Sequence, residues 1–84
     1  MHRKGRHYED KGELEKAIEL YNKGIEADEM VEKFYRRLML CHKKMGNKNE
    51  ALRVYKRCKT ILSSAFGVEP SHETEGIYKS LIGR

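Results

Sequence analysis

The sequence predicts an all-α fold of about five helices, arranged as antiparallel pairs with the last helix closing the stack. Three observations lead to this prediction. A pattern within residues 11–21 returns 34 positions later, apolar residues recur at helical spacing through most of the chain, and the segment 67–70 is its one clear break. An offset in the thirties with helical content is typical of repeated pairs of helices.

The repeat sets the register of the helices. Gly12, Ala17 and Tyr21 have counterparts 34 residues further along, at Gly46, Ala51 and Tyr55. A small turn residue, a small helix residue and an aromatic residue therefore recur in the same order. We expect both alanines at close helix crossings, and both tyrosines to be packing residues rather than rings that stack on nucleic-acid bases.

The first two predicted helices flank Gly12. The first, over residues 2–11, offers little apolar surface beyond Tyr8, so we expect it to depend on sequence upstream of Met1. The second runs from about Glu13 to Ala27, and a single apolar stripe at helical spacing predicts it. Within it, Gly24 suggests the close approach of a neighbouring helix backbone.

The third and fourth predicted helices are separated by Gly46. The third, about Glu29 to Met45, follows Asp28, whose carboxylate can accept from the free amide groups of a first helical turn. The fourth runs from Asn47 or Lys48 to Phe66, and Asn47 with Glu50 is close to a capping box. Both helices have broad apolar faces, so we expect them to be buried between neighbours.

A fifth helix is predicted after the break at residues 67–70. Pro70 cannot continue a hydrogen-bonded helix, and Ser71 is the expected N-cap of a helix from about His72 to Ile82. This helix has an apolar and a polar side, which predicts that it docks on the fourth helix as a closing cap.

Composition limits the classes of protein that the chain can belong to. Eighty-four residues suit one small domain or a piece of a larger protein. No apolar run approaches the roughly 18 residues of a membrane span, and the basic start lacks the apolar segment of a secretory signal. Cys41 and Cys58 are too few for a disulfide framework. We therefore expect a cytoplasmic protein without membrane contact.

The charge is distributed unevenly. Residues 12–32 hold seven acids and two lysines, a net charge of −5, whereas residues 33–59 hold ten Lys or Arg and only Glu50, a net charge of +9. Such asymmetry suggests an acidic partner, either nucleic acid or another protein chain. The alternative is an ordinary solvated face of a helical repeat protein.

Catalytic and metal-binding chemistry is not expected. The candidate metal ligands are Cys41, His42, Cys58 and His72, but they form no close pair such as C-x-x-C, and both cysteines fall on predicted apolar stripes. No glycine-rich loop precedes a helix in the form that cradles phosphate. We therefore predict no enzyme activity and no cofactor.

The repeat and the C-terminal half carry two family resemblances. Gly12, Ala17 and Tyr21 with their counterparts resemble the tetratricopeptide repeat, which implies a right-handed stack of antiparallel helix pairs. More specifically, the chain resembles the bacterial transcriptional activation domain of antibiotic-pathway regulators and some response regulators. This second resemblance is carried by residues 35–39, Gly46, residues 50–52, Tyr55 and the tail at residues 67–71 that leads into Glu73 and Thr74.

The resemblance implies one part of a larger transcriptional regulator, a single domain over residues 1–84 that contacts proteins. Arg36, Leu40 and Lys43 share a helix face by spacing, and in tetratricopeptide folds this face lines the concave groove. We expect its charged members, Arg36 and Lys43, to project into solvent. The predicted partner-binding residues are Arg6, Glu9, Asp10, Lys33, Arg36, Arg37, Leu40, Lys43 and Lys44.

Three interpretations of function remain open from the sequence. The leading one is a protein-interaction module that binds the transcription machinery, other domains of the same regulator, or a second copy of itself. The first alternative is direct contact with nucleic acid through residues 33–59. The second is an intramolecular scaffold.

Overall fold

Four α-helices make up the regular structure of residues 12–83, the part of the chain that the computed structural model describes, and no strand occurs there. They are α1 (Leu14–Ala27), α2 (Glu32–Lys44), α3 (Lys48–Phe66) and α4 (His72–Leu81). The all-α prediction is confirmed for this range. The predicted first helix, residues 2–11, lies outside the described residues.

Short connections fix the directions of the first three helices. Residues 28–31 join α1 to α2, and residues 45–47 join α2 to α3. Packed helices joined by so few residues run antiparallel. Gly46, with φ of 75°, takes the left-handed conformation after α2, and the Asn47 amide donates to the carbonyl of His42 at 2.8 Å. This closes the end of α2, as predicted.

The start of α2 differs from the prediction. The helix begins at Glu32 rather than Glu29, because Asp28 does not cap it. The Asp28 backbone is extended, and its Oδ1 accepts from the amide of Met30 at 3.0 Å, which builds a turn. Asn47 likewise makes no capping hydrogen bond with its side chain. Ser71 is the predicted cap that is confirmed, since its Oγ accepts from the Thr74 amide at 3.4 Å.

α2 lies at the centre of the packing, against each of the other three described helices. One core cluster joins α1, α2 and α3 and includes Tyr21, Phe34 and Leu38. A second joins α2, α3 and α4 through Met39, Ala51, Tyr55 and Leu81. The predicted cap, α4, therefore packs on α2 as well as on α3.

Burial at the repeat positions agrees with the 34-residue register. Ala17 and Ala51 are both fully buried, and Tyr21 and Tyr55 are 1% and 6% exposed. Each alanine lies one helical turn before its tyrosine, so both pairs face the core from equivalent places on α1 and α3. The expectation that these are packing residues is confirmed.

Gly24 is buried for a reason that differs from the expected one. A Cβ at this position would lie 2.8 Å from Cε2 of the Phe34 ring. The neighbour is therefore an aromatic side chain of α2 rather than a helix backbone. Phe34 is 8% exposed, so its ring has little room to move away.

We predict that Gly24→Ala lowers the free energy of unfolding by about 1 kcal/mol, because overpacking outweighs the gain in helix propensity. In a Phe34→Leu background, where the ring is absent, the same substitution should be neutral or stabilising. Chemical denaturation of the four proteins of this double-mutant cycle measures the coupling.

Gly76→Ala is the matched control for this prediction. Gly76 lies within α4, and nothing lies within 4 Å of a Cβ built on it. This substitution should raise stability by up to about 1 kcal/mol. A Gly24→Ala protein that gains as much as Gly76→Ala would show that the Phe34 ring does not restrict this site.

Candidate functional site

The face of α2 that was expected to receive a partner is partly covered by α4. Nη1 of Arg36 lies 3.4 Å from Oγ of Ser71, and Nζ of Lys43 donates to Oγ of Ser80 at 3.0 Å. The later residue of α2 contacts the later residue of the segment 71–80, so α4 runs parallel to α2. The expected groove face therefore already has an intramolecular neighbour.

A polar cluster holds the start of α4 against the start of α2. Glu32 Oε2 accepts from the Ser71 amide at 2.8 Å and from the Thr74 hydroxyl. Nη1 of Arg36 lies 3.9 Å from the same carboxylate oxygen and 3.5 Å from Oγ1 of Thr74. We call these four residues, Glu32, Arg36, Ser71 and Thr74, the Glu32 junction.

The Glu32 junction favours the ionised carboxylate. Burial alone would raise the pKa of Glu32, but hydrogen bonds from Thr74 and Ser71, together with the charge of Arg36, outweigh it and lower the pKa below its ordinary value. A carboxylate that accepts several hydrogen bonds is stabilised in its charged form. Thr74 is fully buried, so its hydroxyl depends on this acceptor.

Arg36 therefore has an intramolecular role in the structure. Its side chain is 21% exposed and serves the junction, with Oε1 of the exposed Glu73 a further 3.7 Å from Nη2. The expectation that it projects into solvent is wrong. Helical spacing placed Arg36 on one face with Lys43 but carried no information about the helix packed opposite.

The remaining predicted site residues fall into three groups. Lys33, Lys43 and Lys44 are exposed on α2, whereas Arg37 and Leu40 are half-buried. Arg6, Glu9 and Asp10 lie outside the described residues. The structure thus brings together an exposed pair of lysines in the last turn of α2, with Lys33 at its other end.

A groove that the sequence pattern did not predict lies between α3 and α4. It is a cavity of about 370 Å³ lined by Asn49, Leu52, Arg53, Tyr55, Lys56, Tyr78 and Ile82. We call it the α3–α4 groove. One feature of the sequence could have indicated this groove. Ile82 widens the apolar side of the last helix beyond the buried Leu81, and it is 40% exposed in the structure.

One wall of the α3–α4 groove is a pair of stacked rings. The Tyr55 and Tyr78 rings have centroids 4.1 Å apart and an interplanar angle of 13°. The Tyr55 hydroxyl donates to Oε2 of Glu75. Burial, and after it this hydrogen bond, raise the pKa of Tyr55, so the hydroxyl keeps its proton at neutral pH.

The cysteines are packing residues, as predicted. Cys41 and Cys58 are not joined in a disulfide, and neither has exposed surface. Burial raises the pKa of Cys58 to about 12, which disfavours the thiolate that binds metals. Within residues 12–83 no group of three or more His, Cys, Asp or Glu side chains is placed to hold a metal ion. In the same range, no helix has the length and apolar character to span a membrane.

Comparison with known proteins gives one finding. A family model described as the bacterial transcriptional activator domain matches residues 2–82. Searches among curated proteins and among solved structures gave no match. The family match covers nearly the whole chain and both cores described above.

We predict a pH dependence of stability that arises from Glu32. Because its folded pKa is lowered, the ionised carboxylate stabilises the fold above the pKa of the unfolded chain, and this contribution is lost as the pH falls through the folded value. The Glu32→Gln protein should be about 1–3 kcal/mol less stable near neutral pH. The difference should shrink from about pH 5 downward.

Denaturation curves at a series of pH values measure this difference. Glu73→Gln is the control, because Glu73 is 76% exposed at its ion pair with Arg36 and should change stability by less than about 0.5 kcal/mol. A Glu32→Gln protein whose stability stays parallel to that of the wild type down to low pH would contradict the role of the carboxylate.

We also predict that both thiols react slowly with a thiol reagent in the native protein and fast in denaturant. A thiol that is buried and protonated lacks both access and the reactive thiolate form. Counting reacted sulfurs over time, with and without denaturant, tests this. Stoichiometric zinc in the purified protein would contradict it.

Proposed function

The chain belongs to the bacterial transcriptional activator domain family, and we propose that it is a protein-interaction module of a bacterial transcriptional regulator. On this proposal it is one domain of a larger cytoplasmic protein, and a different domain of that protein binds DNA. Its helix pairs stack in the right-handed manner of tetratricopeptide repeats. The 34-residue register and the parallel course of α2 and α4 support that arrangement.

The observation that carries the proposal is the exposed basic surface. Of the ten Lys and Arg in residues 33–59, eight are exposed on α2 and α3: Lys33, Lys43, Lys44, Lys48, Arg53, Lys56, Arg57 and Lys59. The one acid in that range, Glu50, is half-buried and pairs with Arg53 at 3.4 Å. Such a surface attracts acidic partners and raises their rate of association.

None of these exposed cations belongs to the Glu32 junction, and the hydrogen bond from Lys43 to Ser80 is itself exposed. The buried polar contacts between α2 and α4 use Glu32, Arg36 and Thr74, whereas Lys33 and Lys44 are exposed side chains of α2. Substitution of exposed side chains usually changes stability by less than about 0.5 kcal/mol. The basic surface is therefore suited to contact with a partner that binds and dissociates.

Direct contact with nucleic acid is the second candidate, since the same cations would neutralise phosphates. Affinity for duplex DNA would then fall steeply with salt, in proportion to the number of phosphates contacted. A mobility-shift titration at two salt concentrations tests this candidate. If the leading proposal is right, we expect the chain to bind duplex DNA only weakly, at low salt, and independently of the base sequence.

For the leading proposal, we predict that the chain activates transcription when another domain supplies the DNA contact. The chain is fused to a DNA-binding domain that has no activating function of its own, and reporter expression is measured in a bacterial strain. The fusion should exceed the DNA-binding domain alone. Lys43→Glu combined with Lys44→Glu should lower its activity several-fold, because a contact with an acidic partner becomes repulsive.

The control is Lys23→Glu, which reverses an exposed lysine of α1 within the acidic half of the chain. It should leave reporter expression within about twofold. Equal expression from the fusion and from the DNA-binding domain alone would contradict the proposal, as would an equal effect of the α1 and α2 reversals. Protein levels and melting curves exclude unfolding as the cause.

A further inference from the structure

We propose that the α3–α4 groove binds an acidic segment of a partner protein that inserts apolar side chains of about leucine size. This inference rests on the proposed function and names both a surface and the chemistry of its occupant. It places the apolar part of the contact on α3 and α4, whereas the exposed lysines of α2 contribute charge alone.

The floor of the α3–α4 groove is apolar and incompletely covered. Leu52 and Tyr78 pack at the margin of the second core cluster and are half-buried. Ile82 follows the end of α4 and is 40% exposed. Burial of apolar surface is the main source of binding free energy at such sites. A cavity of about 370 Å³ is at the small end of ligand sites, which suits a few side chains.

The rim of the α3–α4 groove is positively charged. Among residues 12–83, the charged residues that line the groove are Arg53 and Lys56, and no carboxylate of that range lines it. Arg53 is 81% exposed even though it pairs with Glu50, and an ion pair at such a site contributes little. Glu75 accepts a hydrogen bond from the Tyr55 hydroxyl and is not among the lining residues. An incoming acidic segment therefore meets two cations and, among the described lining residues, no carboxylate.

The wall of the groove is fixed before a partner arrives. The stacked rings of Tyr55 and Tyr78 join α3 to α4, and the hydrogen bond from Tyr55 to Glu75 adds a second link between the same helices. Because this wall is already ordered, less conformational entropy is lost when a partner binds. An amphipathic helix laid along such a groove would anchor itself through residues spaced by three or four.

The apolar floor separates an acidic peptide from nucleic acid as the occupant. Phosphate contacts require only the cations, and a ring available to a base would need an open face. One face of Tyr78 is taken by Tyr55. A phosphate backbone would not bury the apolar surface of Leu52 and Ile82 favourably, whereas the aliphatic side chains of a peptide would cover it.

The test uses the purified 84-residue chain and fluorescently labelled peptides of known sequence. The probe is a short acidic helix-forming peptide with two leucines one helical turn apart. Its comparison peptides replace both leucines with alanine, or every acid with lysine. Fluorescence anisotropy at near-physiological salt gives the dissociation constants. We expect alanine replacement to weaken binding about tenfold or more, and the basic peptide not to bind.

The protein variants place the contact. Lys56→Glu should raise the dissociation constant of the acidic peptide about tenfold. Arg57→Glu is the matched control on the next residue of α3, where the guanidinium lies 6.0 Å from the centre of the Tyr35 ring, on the side toward α2. It should change the dissociation constant less than about threefold. Ile82→Ser should weaken binding without altering net charge, and amide shifts in a nuclear magnetic resonance titration should concentrate in residues 49–56 and 78–82.

Several results would overturn the groove as the binding site. These are equal binding of the leucine and alanine peptides, equal effects of Lys56→Glu and Arg57→Glu, or no binding of any acidic peptide. Loss of peptide binding only with Lys43→Glu and Lys44→Glu would refute the groove while leaving the proposed function in place. Duplex DNA that displaces the peptide and shifts the same amides would also refute the peptide as occupant.

Discussion

The burial of α2 on several sides is the constraint on which the rest of the structure depends. A chain of 84 residues buries a small core, and this one divides that core into two clusters that both draw on α2. Phe34 and Leu38 face α1 and α3, whereas Met39 faces the contact with α4. Substitutions in α2 therefore affect both clusters, while those in α1 or α4 affect one.

The Glu32 junction adds a second constraint, which sets the direction of α4 relative to α2. The apolar side of α4 would satisfy the core at several tilts, but Glu32 accepts from both the Ser71 amide and the Thr74 hydroxyl. That double contact fixes where α4 begins and aligns it with α2. Two consequences follow for function. The expected concave face is partly occupied, and the apolar end of α4 meets α3 beside the ring of Tyr55, which creates the groove.

Much of this fold could be predicted from the sequence because its signals are local. The 34-residue register identified Ala17, Ala51, Tyr21 and Tyr55 as packing positions. Gly46 marked the end of α2 through its left-handed backbone, and Ser71 marked the start of α4 through its side-chain cap. The junction and the groove could not be predicted in this way. Helical spacing shows that Arg36 and Lys43 share a face, but the helix opposite comes from a segment 35 or more residues away. Asp28 shows the limit of cap signals, since the same side chain can build a turn instead of starting a helix.

The basic surface and the α3–α4 groove respond differently to solution conditions, and this difference bears on the proposed recognition of a partner. The exposed cations of α2 and α3 act through charge, which salt screens over about 8–10 Å at moderate ionic strength. The floor of the α3–α4 groove acts through apolar burial, which salt of that strength hardly changes. A partner held by both would associate faster through the basic surface and dissociate more slowly because of the groove, since charge mainly affects the rate of encounter. Selectivity among acidic proteins must then come from the groove, because any acidic surface satisfies the lysines but only one with well-placed apolar side chains fills the space beside Tyr78.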